Sequence, residues 1–254
     1  MTGRRNVRIA ALGDIHVTKT SQGALQPLLA PLNDAADVLL LCGDLTDYGL
    51  REETSVLVKE LQVLRIPVVA VLGNHDYESG RPEDVRGPLC DAGVRVLDGE
   101  ACELLGIGFA GVKGFCGGFG RATLGAWGER AIKSFVQESL DEALKLESAL
   151  ARLRTPRRVA VLHYAPVAAT VEGEPPEIFP FLGTSRLEGP LNRHPVDVVF
   201  HGHAHRGCPE GRTVGGTPVY NVALPLLRRM PPERGAGPVR IVELEVDAPG
   251  TAAA

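Results

Sequence analysis

Three short, nearly continuous apolar runs occupy residues 7–12, 38–42 and 68–72. Runs of this length without alternation predict strands buried on both faces, as in parallel sheets covered by helices. Residues 24–32 and 52–64, between them, carry apolar positions near helical spacing and predict helices. This order predicts βαβ units around a mainly parallel sheet, an α/β fold. Residues 101–112 read as a pair of short strands, and residues 129–154 as the longest helix, stopped at Thr155 and Pro156. A short helix is predicted near 185–192, with buried strands at 159–162 and 196–200. Closing strands follow at 217–222 and 239–246, the last alternating so that one face meets solvent. Two stretches lack periodicity, a glycine-rich loop at 111–128 and a proline-rich loop at 166–183. Nothing resembles an interdomain linker. One domain over residues 1–247 with a disordered tail at 248–254 is the expectation.

Composition narrows the class of protein but not its chemistry. Hydrophobic residues at 44% and charged residues at 23% are ordinary for a globular chain. The formal charge of −4 argues against a general affinity for nucleic acid. No apolar run is long enough for a membrane span, and the N-terminal apolar stretch ends in a charged motif, unlike a signal peptide. The five cysteines have no CxxC spacing and read as reduced thiols, so a cytoplasmic location is expected.

Candidate chemistry lies where the apolar runs stop. AALGD ends at Asp14, LLLCGD at Asp44, AVLGN at Asn74, AVLH at His163, and VVFHGHAH contains His201, His203 and His205. Ligands in open α/β sheets gather beyond the carboxyl ends of strands. Six of the seven histidines fall in these segments, counting His16 and His75. Structural histidines would scatter. Imidazoles mixed with carboxylates and an amide suit first-row metals rather than calcium or a tetrahedral structural zinc.

The blocks GDIH, GDLTD, GNHD, a lone histidine after a strand, and GHAH occur in order from Asp14 to His205. Together they resemble the calcineurin-like metallophosphoesterases, and more closely the bacterial pattern that includes class III cyclic-nucleotide phosphodiesterases. The resemblance implies a four-layer αββα sandwich of two mixed sheets flanked by helices, with two divalent metal ions at one rim. Manganese or iron would be favoured, with zinc or magnesium also able to serve. It puts Asp14, His16 and His203 on one ion and Asn74, His163 and His201 on the other, with Asp44 between. A hydroxide bridging the ions would then attack phosphorus in line. His75 would donate a proton to the leaving group or stabilise phosphoryl charge. Asp47 would orient His75, a task Asp76 could share. His205 either supports the ligands from behind or is an ordinary loop residue.

The bland alternatives are specific. Gly-Asp and Gly-Asn pairs are common turns, and a lone histidine is usually a satisfied core residue. His194 reads as surface, and the basic stretches at 152–158 and 228–240 as solvated charge. The loop containing GFCGGFG lacks the Lys-Ser/Thr of a P-loop. A lid in which Phe115, Phe119 or Trp127 meets substrate is the alternative to a merely flexible loop.

The expected function is phosphoester hydrolysis on a small-molecule or nucleotide substrate, leaning to diesters. Tyr48 stands where serine/threonine protein phosphatases carry a phosphate-gripping arginine. A phosphomonoesterase and a non-catalytic scaffold are the alternatives. A binuclear amidohydrolase fails because its HxH belongs after the first strand.

Overall fold

The structure is a computed structural model describing residues 4–231 and 237–247. The expected tail at 248–254 lies outside the described residues. Strands β1 (Arg4–Leu12), β2 (Val38–Cys42), β3 (Val68–Val71) and β4 (Arg95–Val96) run parallel, and β11 (Arg240–Asp247) joins β1 antiparallel. The order of this first sheet is β11-β1-β2-β3-β4.

The second sheet contains β5 (Glu100–Leu104), β6 (Ile107–Val112), β7 (Arg157–Leu162), β8 (Val198–His201), β9 (Glu210–Arg212) and β10 (Pro218–Asn221). Its order is β5-β6-β7-β8-β10-β9, with β6, β7, β8 and β10 parallel and both edge strands antiparallel.

The two-residue period of a strand explains the layers. Ile9, Ala11, Leu40, Val69 and Val71 face Phe109, Val159, Val161 and Phe200 across the gap between the sheets. The intervening Ala10, Leu12, Leu39, Leu41 and Ala70 turn outward under helices. These are α1 (Gln26–Leu29), α2 (Leu32–Ala35), α3 (Arg51–Leu61) and α4 (Glu83–Asp91). On the far side, Ala110, Leu162 and Val199 pack beneath α5 (Arg130–Arg152), whose Leu146, Ala149 and Leu150 recur at helical spacing. Three short helices complete the chain, α6 (Phe179–Leu182), α7 (Glu188–Arg193) and α8 (Leu224–Leu227). The arrangement is the expected four-layer αββα sandwich.

Departures from the periodicity have local causes. The helix expected at 24–32 is broken into α1 and α2 because Pro31 has no N–H with which to continue it. The short helix near 185–192 begins at Glu188. The loop at 166–183 contains single turns of 3-10 helix at Ala168–Thr170 and Pro176–Ile178, followed by α6. Helix α4 and the brief edge strands β4 and β9 had no periodic signal. All five cysteines are unpaired. Among the described residues no helix is long and apolar enough to cross a membrane.

Candidate metal centre

The carboxyl ends of β1, β2, β3, β7 and β8 converge on one rim. Loops after β1 and β2 are bonded to each other, with Asp14 N–H donating to the Gly43 carbonyl and His16 N–H to that of Asp44. Four of the five non-glycine residues with left-handed backbone among the described residues are Asp14 (φ 55°), His16 (φ 43°), Asp44 (φ 49°) and His203 (φ 70°). Such conformations cost on the order of 1–3 kcal/mol each and cluster where function over-determines the backbone.

Two glycines are required by close approach. A Cβ on Gly73 would lie 2.2 Å from Asp44 Oδ1, and one on Gly202 would lie 2.3 Å from Asp14 Oδ2. The glycine of each block therefore admits the acid of another.

Around Asp44 Oδ1, groups with lone pairs face one another. His163 is fully buried and its Nδ1–H donates to the Cys42 carbonyl at 2.9 Å, leaving Nε2 bare. That bare nitrogen lies 2.9 Å from Asn74 Oδ1 and 3.4 Å from Asp44 Oδ1. His203 joins them, its ring 4.8 Å from that of His163. Its Nε2–H donates to the Phe181 carbonyl at 3.1 Å, so Nδ1 carries the lone pair. Acceptors this close without a proton between them fit a cation.

A second group lies on the other side of the same carboxylate. Asp14, His16 and His205 bring ligand atoms within 4.8 Å of one another. His205 Nε2 is 3.0 Å from Asp14 Oδ1. Both ring nitrogens of His16 are buried without a hydrogen-bond partner, and its Nε2 lies 3.9 Å from Asp44 Oδ2. Buried nitrogens without a hydrogen-bond partner fit a metal ion. Asp44 thus offers Oδ1 to one group and Oδ2 to the other.

The protonation states of His203 and His16 agree with ligation. Burial pushes His203 down to about 3 and lowers His16, so neither carries a proton charge near neutrality. For Asp14, burial acts to raise the pKa. The His205 hydrogen bond, the nearby histidine charges and the His203 N–H outweigh it and hold the carboxyl low. That hydrogen bond also raises His205.

The structure does not bring His201 into either group. Strand β8 alternates, and His201, its last residue, shares the outward face of Val199 rather than the inter-sheet face of Val198 and Phe200. It is fully buried, with Nδ1 2.7 Å from the Gly202 carbonyl and Nε2 2.8 Å from Thr170 Oγ1. Burial pushes it down to about 4. It is a satisfied core histidine. His203 and His205, past the strand end, occupy the two places expected for His201 and His203. The sequence held the signal: in the blocks ending at Asp14, Asp44 and Asn74, glycine precedes the candidate ligand, and Gly202 precedes His203.

His75 overlaps the second group, one of its ring nitrogens grouped within 4.8 Å of ligand atoms of His16 and Asp44 and its ring edge-on to His16 with centroids 4.5 Å apart. Its Nδ1 lies 2.7 Å from the backbone carbonyl of Asp47 and 4.0 Å from that residue's carboxylate, so main chain does most of the orienting. The Asp47 carboxylate is closer to His16 Nδ1, at 3.3 Å. Asp76 does not touch the His75 ring in any hydrogen bond. Its buried carboxylate accepts the N–H groups of Leu45, Thr46 and Gly73 and the Thr46 hydroxyl, tying the β2 and β3 loops together. Burial pushes its pKa up to about 6.

The two aperiodic loops are bonded to each other. Gly117 N–H donates to Pro180 and Gly118 N–H to Gly183, at 2.8 and 2.9 Å. Phe115 packs on Phe135 and Tyr164, and Phe119 on the small cluster of Ala165, Val171, Leu182 and Ala204. Trp127 alone of the three aromatic residues is exposed. His194 is half-buried rather than on the surface, with Nε2 3.8 Å from the Glu147 carboxylate.

Comparison with known proteins bears on the reaction. No curated protein sequence matches the chain. Phosphopantetheinyl hydrolase from Mycobacterium tuberculosis is similar in structure, with TM-score 0.64 and 16% identity over 92% of this chain and 95% of that one. GAP50, the anchor in the inner membrane complex of Plasmodium, is similar with TM-score 0.57 and 12% identity over 94% and 81%. These likenesses speak to the fold. The family model of the calcineurin-like phosphoesterases matches residues 7–207, which span every block from Asp14 to His205. The chain belongs to the calcineurin-like phosphoesterase family, and its reaction is metal-dependent hydrolysis of a phosphoester.

Proposed function

We propose that the chain is a dinuclear phosphodiesterase acting on a small organic ester. The observation that carries this reading is the division of Asp44, whose Oδ1 and Oδ2 face two separate ligand groups. Asp14, His16 and His205 would hold one ion, Asn74, His163 and His203 the other, with Asp44 shared. The mixed nitrogen and oxygen set suits manganese or iron, and also zinc or magnesium. When bound, such ions make water nucleophilic near neutral pH and neutralise phosphoryl charge.

The chain's own residues do the rest. The carbonyls of Cys42 and Phe181 fix the tautomers of His163 and His203 so that their bare nitrogens point at the site. The Asp47 carbonyl holds His75 Nδ1–H, leaving Nε2 for proton transfer. When doubly protonated, His75 gives its Nε2 proton to the departing oxygen. Two carboxylates against two divalent ions leave a residual charge of about +2. Among the described residues no lysine or arginine bonds to a ligand side chain, and Tyr48 replaces the arginine expected of a protein phosphatase. A diester monoanion needs less cationic help than a monoester dianion, which supports the diester reading.

The test is metal removal by chelation, reloading with each of the four metals, and turnover of bis(p-nitrophenyl) phosphate against p-nitrophenyl phosphate. Two ions per chain and a diester preference are expected, and Asp44→Ala should abolish turnover. One ion at full activity would refute the dinuclear reading, and a monoester preference would reassign the substrate class.

A further inference from the structure

We propose that residues 175–181 form an apolar subsite that takes an alkyl or aryl group of the substrate. This rests on the phosphoester reading above and specifies its substrate. The segment reads PPEIFPF, and a 3-10 turn at Pro176–Ile178 runs directly into α6. Ile178 and Phe181 are three residues apart, so they share a face. That face is open, with Ile178 37% and Phe181 58% exposed. Pro175, Pro176 and Pro180 are exposed around them.

The opposite face is anchored. Phe179 and Leu182 pack with Ala165, Val171 and Ala204, so the turn is held against the body of the protein. Backbone bonds from Gly117 and Gly118 to Pro180 and Gly183 add to this. The open side chains are therefore presented at a fixed place, and the segment that carries them adjoins the metal centre. The Phe181 carbonyl accepts the Nε2–H of His203 at 3.1 Å, so the segment backs a candidate ligand on the side opposite its bare Nδ1.

Single exposed apolar side chains are ordinary, but a contiguous group at the edge of a reaction site marks what binds there. Charged side chains would serve a purely ionic substrate better, and the segment has only Glu177, which an anion avoids. Continuity with the metal centre favours the substrate's own apolar group over a separate partner.

The experiment uses p-nitrophenyl alkyl phosphodiesters bearing methyl, butyl or octyl groups, with the metal-loaded full chain. Burial of a methylene favours binding by about threefold, so kcat/KM should rise at least about tenfold from methyl to butyl, through KM. Phe181→Ser and Ile178→Ser should each flatten the series. A flat series in the unmodified chain would overturn the proposal while leaving hydrolysis standing. So would variants that lower all three esters equally, because a structural role acts that way. Pelleting with dioleoylphosphatidylcholine vesicles, lost in Phe181→Ser and paired with a flat series, would assign the patch to a lipid surface instead. No turnover of any ester with any metal would remove the phosphoester reading itself, and this one with it.

Discussion

Exchanging the roles of two histidines separates the geometry from the simplest reading of the motif. His201→Ala removes a fully buried ring whose nitrogens bond the Gly202 carbonyl and the Thr170 hydroxyl. Each orphaned partner costs about 1–3 kcal/mol, and the vacated volume adds to that, for a total of roughly 3–5 kcal/mol. For a chain of this size about 3 °C of Tm accompanies each kcal/mol, so melting should fall by roughly 10–15 °C. The candidate ligands stay in place, so the variant should retain about two ions per chain and turn over below its Tm. His205→Ala should do the reverse. Its ring is partly exposed and holds one bond, to Asp14, so the metal-free protein should melt within a few degrees of normal. It should lose one ion, and turnover with it. Elemental analysis after desalting, calorimetry on metal-free protein and turnover at 25 °C give the three readouts. An ion lost from His201→Ala and kept in His205→Ala would refute the assignment.

Three further outcomes follow from the same coordinates. Gly73→Ala should abolish metal retention, because its Cβ would lie 2.2 Å from the Asp44 backbone nitrogen and Oδ1; elemental analysis showing full metal content would contradict this. Glu60 is fully buried and accepts the N–H groups of Gly23, Leu25 and Gln26, so Glu60→Ala should cost about 3 kcal/mol in urea unfolding. A loss below about 1 kcal/mol would mean that water replaces the carboxylate. Asp37 is held below its ordinary value of 3.8, chiefly by the hydrogen bond from the Arg8 guanidinium. A carboxyl lowered by folding contributes stability above its unfolded pKa and loses it as pH falls through the folded value. Both partners are more than a third exposed, so Asp37→Asn should cost about 1 kcal/mol or less at about pH 7, shrinking to nothing on acidification. A difference that grows on acidification would reverse the sign of the argument.

Legibility in the sequence followed the range of the forces involved. The buried strands were readable because a strand covered on both faces must be apolar throughout. Helix α5 was readable because Leu146, Ala149 and Leu150 lie at the helical period. The helix at 24–32 was misread because apolar spacing says nothing of a missing N–H at Pro31. Helix α4, with a proline inside it and only Val85 and Leu89 fully buried, leaves too narrow a stripe to register. The orienting carbonyls of Cys42, Asp47 and Phe181 could not be seen at all, since every residue has a carbonyl and only folding chooses which one meets a ring.

The sequence by itself determined the class of chemistry. Polar ligands at the ends of apolar runs, most of them preceded by a glycine, leave little besides a metal centre on an α/β rim. Tertiary structure decided which histidines reach the rim. The register of β8 carries His201 under the outer layer, while the turn beyond it, with His203 at φ 70°, carries His203 and His205 to the rim. Composition is the same under either assignment, and the glycine before His203 is the one local hint in the sequence. The two-residue period of a strand, fixed by its neighbours β7 and β10, turns that hint into a placement.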